Sequence, residues 1–182
     1  MKKILLTEDY SLSFQLNESE TTRGVKKLKG LFHLAEQKNA NGRVYSKALL
    51  ERELKKIMPS VKDRRILGEL SHPAYAEINL ERTAHVITEL KMVGNKMYGE
   101  LEVIRTPMGQ ILEALIDSGV KLGISSRGVG SLREEKGVRY VCEDYGLITW
   151  DVVANPSTPD AWLDGNKNIA KSVGISESLI EF

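Results

Sequence analysis

The chain has 182 residues, enough for one domain with a real core and too few for two of ordinary size. With 41% hydrophobic and 28% charged residues it is globular in composition, and no apolar run approaches the roughly 18 residues that cross a bilayer. Twenty-six Lys and Arg against 25 Asp and Glu leave a formal charge of +1, so no overall field draws nucleic acid or an anionic membrane and recognition must be local.

One cysteine, Cys142, excludes an intrachain disulfide, and with only three histidines no Cys-rich zinc site is expected. The opening Met1 to Leu6 resembles a signal peptide, but Thr7, Glu8 and Asp9 end its apolar stretch too early. The reading is a mature, non-exported, cytosolic chain.

Residues 7–26 are rich in Ser, Thr and Glu with weak periodicity, so residues 1–26 are expected to be a flexible lead-in and order to begin near Lys27. Leu28, Gly30, Phe32 and Leu34 alternate as in a strand that turns at residues 39–42. A helix follows, N-capped by Ser46, with Leu50, Leu54, Ile57 and Met58 on one stripe and Pro59 as its expected stop. Arg65 to Leu70 reads as a short strand ending at Ser71-His72-Pro73, and residues 84–104 as a hairpin turning at Gly94-Asn95.

Thr106 and Pro107 open a second helix with Ile111, Leu112, Leu115 and Ile116 on its apolar stripe and Gly119 closing it. Strand-like pieces come next at 120–125, 128–132, 138–143 and 146–154, and residues 165–182 read as a flexible tail. Strands outnumber helices without regular β-α-β alternation. The expected class is α+β, a compact, mainly antiparallel β-barrel flanked by helices, with the working domain at 27–164.

Three places carry candidate chemistry. His33 and His85 read as solvated strand residues, whereas His72 sits at a strand end beside Pro73, which presents its ring at a sheet rim. Gly123-Ile124-Ser125-Ser126-Arg127-Gly128 reads either as a glycine-rich turn or as a sharp strand exit offering a serine and backbone N–H groups. Asp151 lies in an apolar strand, where a carboxylate is costly unless it has a partner or faces solvent. The Lys-Ser/Thr end of a P-loop and the His-Glu-x-x-His of a metal hydrolase are both absent, so no metal, nucleotide or other cofactor is called for.

Gly68-Glu69-Leu70-Ser71-His72-Pro73, then Gly123 to Gly128, then Asp151 with Pro156-Ser157 and Pro159-Asp160-Ala161-Trp162, resemble the prohead core protease family of T-even-like tailed bacteriophages. Asn41-Gly42-Arg43-Val44-Tyr45 and Met97-Tyr98-Gly99 echo the same pattern, and the likeness spans roughly residues 28–163. The resemblance implies a serine endopeptidase, distantly similar to herpesvirus assemblin, that cleaves scaffold, core and capsid proteins in the prohead assembling in the host cytoplasm. By position it makes His72 the general base, Ser125 the nucleophile with Ser126 in reserve, and Asp151 the orienting acid. Ser126, Arg127 and Gly128 are candidates to support the oxyanion.

The resemblance also implies cleavage after Glu in Leu/Ile-x-Glu. Ten of the chain's 18 glutamates have Leu or Ile two residues before, a spacing that strands and helices also produce. Glu8, Glu18, Glu177 and Glu181 fall in the segments read as flexible, which points to self-trimming of a zymogen at both ends. Arg43, Lys121, Arg127 and Arg139 are unranked candidates for the pocket that takes the substrate Glu. The competing reading is a catalytically silent capsid, scaffold or tail protein of the same fold. Whether the chain forms a homo-oligomer is left open by its sequence.

Overall fold

The computed structural model describes residues 2–10, 15–16, 25–120 and 122–154. Its elements in chain order are β1 (Ile4–Tyr10), β2 (Gln15–Leu16), β3 (Lys27–Leu34), β4 (Arg43–Val44), α1 (Lys47–Lys62), β5 (Leu67–Glu69), a 3-10 turn at Leu80–Arg82, β6 (Thr83–Val93), β7 (Lys96–Val103), α2 (Pro107–Asp117), β8 (Gly123–Gly130), β9 (Leu132–Glu135), β10 (Val138–Val141) and β11 (Gly146–Val153). Three sheets run in the orders β1-β8-β11, β2-β3-β7-β6-β5 and β4-β10-β9. Pairing is antiparallel except between β4 and β10 and at one bridge, Leu70 to Val152, which joins the first two sheets. The α+β class holds, but among the described residues the ladders do not close into a barrel.

Local signals explain both helices. Ser46 Oγ accepts the Leu49 N–H at 3.1 Å to cap α1, and Thr106 Oγ1 accepts the Gly109 N–H at 3.0 Å to cap α2. Contrary to the expected stop, α1 runs through Pro59 to Lys62. Val61 is buried in the core, and the Asp63 N–H closes back on the Pro59 carbonyl at 3.0 Å, so packing and capping offset the missing proline donor.

The core gathers Phe32, Leu49, Leu50, Ile87, Met97, Leu101, Ile124, Val152 and Trp150. Trp150 Nε1 donates to the Phe32 carbonyl at 3.0 Å, tying β11 to β3. His33, expected in solvent, is buried, because a register shift between Leu31 and His33 breaks the alternation and turns Phe32 and His33 both inward. His85 is buried too. The first half of β6 is covered on both faces, and His85 Nε2 lies 3.0 Å from the Trp150 carbonyl.

Order begins earlier than the composition suggests. Residues 4–10 form the outer strand of the β1-β8-β11 sheet, and Glu8 is fully buried in it. Its Oε1 accepts Tyr45 Oη at 2.7 Å and Arg43 Nη1 at 2.8 Å, and its Oε2 accepts Asn39 Nδ2 at 2.6 Å and Asn41 Nδ2 at 2.8 Å. A polar-looking segment thus becomes a strand because each oxygen of its buried carboxylate finds two donors. Glu18, Glu177 and Glu181 and the tail at 165–182 lie outside the described residues.

Replacing Glu8 by Ala takes the carboxylate acceptor from Tyr45 Oη and Asn39 Nδ2 and leaves the side chains of the partly buried Arg43 and of Asn41 only the Thr7 carbonyl among the described residues. Equilibrium urea denaturation should show a loss of about 3–5 kcal/mol, and a smaller loss for Glu8→Gln.

Candidate active site

β8 and β11 pair with Ser125 opposite Asp151. In a strand, alternate side chains share a face, so Ser125 and Arg127 project from one side of β8 and Ile124, Ser126 and Gly128 from the other. His72 arrives from a third direction. After β5 the Ser71 N–H donates to the Val152 carbonyl at 2.8 Å, and Ser71 adopts a left-handed φ of 67°, which swings the following residue across β11.

The result is a continuous chain of hydrogen bonds. Ser125 Oγ lies 3.2 Å from His72 Nε2, and His72 Nδ1 lies 2.7 Å from Asp151 Oδ2. Ser125 and Asp151 are fully buried, while the His72 side chain keeps 19% of its surface exposed. Asp151 does not face solvent as a simple alternating strand would allow. Its Oδ1 accepts the Glu69 N–H at 3.0 Å and Arg127 Nη2 at 3.0 Å, so both oxygens are satisfied.

Arg127 is buried with its guanidinium spread over four acceptors. Nη2 also reaches Glu69 Oε1 at 3.1 Å, and Nη1 donates to the carbonyls of Tyr75 at 3.1 Å and Glu77 at 3.0 Å. Glu69, also buried, accepts Asn79 N–H on Oε1 at 2.9 Å and Arg82 Nε on Oε2 at 3.1 Å. Sequence reasoning passed over Glu69. The signal was present, since it is a carboxylate in an apolar strand, the same anomaly that marked Asp151.

The two adjacent serines are separated by geometry. Ser126 faces away from His72, and its buried Oγ has no hydrogen-bond partner among the described residues. The glycine-rich segment is neither a turn nor a strand exit, but one continuous strand with a neighbour on each edge. Its backbone pairs with β1 on one edge and β11 on the other, and Arg127 is bonded to two carboxylates and two carbonyls. Gly128 serves packing, since a Cβ there would lie 2.4 Å from the Tyr145 ring. Gly68 has the same character: its Cβ would meet His85 Nε2 at 2.1 Å and the Trp150 carbonyl at 2.2 Å.

The basic residues considered for a Glu pocket are mostly spent elsewhere. Arg43 holds Glu8, Arg127 holds Asp151 and Glu69, Arg139 Nη2 donates to the Asn41 carbonyl at 2.7 Å, and Lys121 lies outside the described residues. No group of His, Cys, Asp and Glu able to hold a metal occurs among the described residues.

A buried hydroxyl and a buried carboxylate bridged by a partly exposed imidazole, on an antiparallel sheet with two helices, define the class: a protein with the side-chain geometry of a Ser-His-Asp hydrolase. Residues 16–173 match the family model described as "Prohead core protein serine protease", and the chain belongs to that family. It is 39% identical over 141 residues to the "Prohead core protein protease" of Enterobacteria phage T4, an alignment covering 75% of this chain and 66% of that relative, just under two thirds of its length. The solved structure of the bacteriophage T4 capsid assembly protease, gp21, superposes with a TM-score of 0.80 at 32% identity, covering 86% of this chain and 100% of that one.

Burial lowers the pKa of His85 to about 4, against the opposing pull of the Asp151 charge, and lowers that of His33 to about 3. Both are held neutral in the folded state, while the unfolded chain takes up their protons below about pH 6.5. Stability is therefore complete above that pH and falls by about 1.4 kcal/mol per pH unit per histidine on acidification toward pH 4. Denaturation midpoints measured from pH 7 to 4 should follow this slope, and His33→Gln should flatten it.

Proposed function

We propose that this chain is a serine endopeptidase of phage head assembly, cleaving scaffold, core and capsid proteins inside the prohead assembling in the host cytoplasm. The observation that carries the reading is the bond sequence Ser125 Oγ to His72 to Asp151 at 3.2 and 2.7 Å. The names of the T4 relatives support the substrate class.

The steps follow from these contacts. With its proton on Nδ1 donated to Asp151, His72 presents a basic Nε2 to Ser125 Oγ and takes its proton as the oxygen attacks the scissile carbonyl. Asp151 then faces an imidazolium, and its buried charge stabilises that ion. His72 returns the proton to the leaving amine, and water hydrolyses the acyl-enzyme by the same route. Burial of Ser125 favours a latent form, because a substrate carbonyl must come within contact of an atom now closed to solvent.

Cleavage after Glu in Leu/Ile-x-Glu is the specificity that goes with this reading, together with self-trimming at Glu18, Glu177 and Glu181. Glu8 stands apart. It is locked into β1 by four donors, so a cut after it requires the strand to leave the sheet first.

Ser125→Ala should lower scaffold cleavage by about 10⁶-fold and Asp151→Asn by about 10⁴-fold, whereas Ser126→Ala should leave it near wild type. Wild-type turnover in Ser125→Ala overturns the nucleophile. Mass spectrometry of the incubated chain should find new ends after Glu18, Glu177 or Glu181, and intact termini during active scaffold cleavage would refute self-trimming.

A further inference from the structure

Glu69 makes no hydrogen bond to Ser125 or His72, yet it is bonded to Asp151, Arg127, Asn79 and Arg82 around them. Its backbone N–H holds Asp151 Oδ1, and its Oε1 shares Arg127 Nη2 with that same oxygen. Oε1 also fixes Asn79 N–H at the far end of the loop that His72 begins. Arg82 closes the arrangement from the opposite side, bonding Glu69 Oε2 through Nε and the Leu70 carbonyl through Nη2 at 3.2 Å.

We propose that Glu69 is a positioning residue for the reaction, setting through Arg127 both the orientation and the effective charge of Asp151 and the placement of the 72–79 loop. The physical argument is charge balance in a dry site. Arg127 stands between two buried carboxylates, and its single positive charge is shared by both. Because Glu69 takes part of it, Asp151 keeps enough negative character to stabilise an imidazolium on His72. Were Glu69 neutral, Arg127 would turn its charge onto Asp151, and the imidazolium would lose support at the moment it forms.

The loop adds the geometric half. Arg127 Nη1 binds the Tyr75 and Glu77 carbonyls, so the guanidinium that meets Glu69 also pins the segment after His72. The charged and titratable groups around His72 are Asp151 from β11, Arg127 from β8, Glu69 from β5, Arg82 from the 3-10 turn and, behind the Trp150 carbonyl, the neutral His85 from β6.

This inference rests on the protease reading, and its test is separable from it. In the full-length chain, Glu69→Gln keeps the side-chain shape and an acceptor for Asn79 and Arg127. Its amide opposes Arg82, and Glu69→Gln/Arg82→Gln removes that conflict and returns the cluster to its wild-type net charge without restoring the carboxylate that shares Arg127 with Asp151. Ring-nitrogen NMR, which needs no turnover, should show the His72 titration midpoint of Glu69→Gln displaced to lower pH by about half a unit or more, and that of the double variant displaced in the same direction by less, because loss of the Arg82 charge offsets part of the change.

On an internally quenched peptide containing Leu-x-Glu, kcat should fall about 100-fold in both variants with KM within about threefold, and the acid limb of kcat/KM should move down in pH. An unmoved His72 titration overturns the proposal, as does full recovery of kcat in the double variant, since either result leaves Glu69 a purely structural role. Failure of the protease reading looks different: a Ser125→Ala chain would then cleave the peptide as well as wild type.

Discussion

A guanidinium without solvent contact, held between two buried carboxylates, is the interaction on which the rest of the site depends. Arg127 is an expensive residue to bury, and only the combination of Asp151, Glu69 and two backbone carbonyls offsets its desolvation. Those partners come from β11, β5 and the loop after His72. The arginine therefore does more than balance charge: it ties β8 to β11 and to the stretch from β5 to Glu77, some fifty residues away in sequence, and Ser125, His72 and Asp151 meet where these join.

β8 makes this possible by having two working faces. Toward the site it presents Ser125 and Arg127. Toward the interior it presents Ile124, Ser126 and Gly128, with the Tyr145 ring seated where a side chain on Gly128 would stand. Both edges are occupied, by β1 and β11, so Ser125 sits on a strand fixed on each side. Glu8 secures the outer neighbour through Asn39, Asn41, Arg43 and Tyr45, which turns the Asn41-to-Tyr45 motif into a receptor for the chain's own carboxylate. The strand is thereby tied into the domain by four donors to one buried carboxylate.

Both helices and the long hairpin were legible in the sequence because their signals are local: a capping hydroxyl, a periodic stripe, a Gly-Asn turn. His72, Ser125 and Asp151 were picked out as a set through the family resemblance, and the fold brings them within hydrogen-bond reach of one another. The orientations of His33 and His85 were misread for a definable reason. Alternation predicts facing only in a strand that is regular and covered on one side, and β3 carries a register shift while β6 is covered on both. Arg127 was visible as a residue but not as a clamp, since nothing near it in sequence shows that two carboxylates converge on its side chain.

By itself the sequence determined the fold class, the starts of the two capped helices, and which residue types were available for acid-base and nucleophilic chemistry. These follow from short-range sterics and from the periodicity of apolar residues. Only the tertiary structure decided which of two adjacent serines meets the imidazole, that Ile4–Tyr10 forms a strand, and that Glu69 bonds the arginine beside Asp151. Each of those outcomes turns on where a buried charge finds its counter-charge, and that depends on contacts between residues tens of positions apart, which no local pattern encodes.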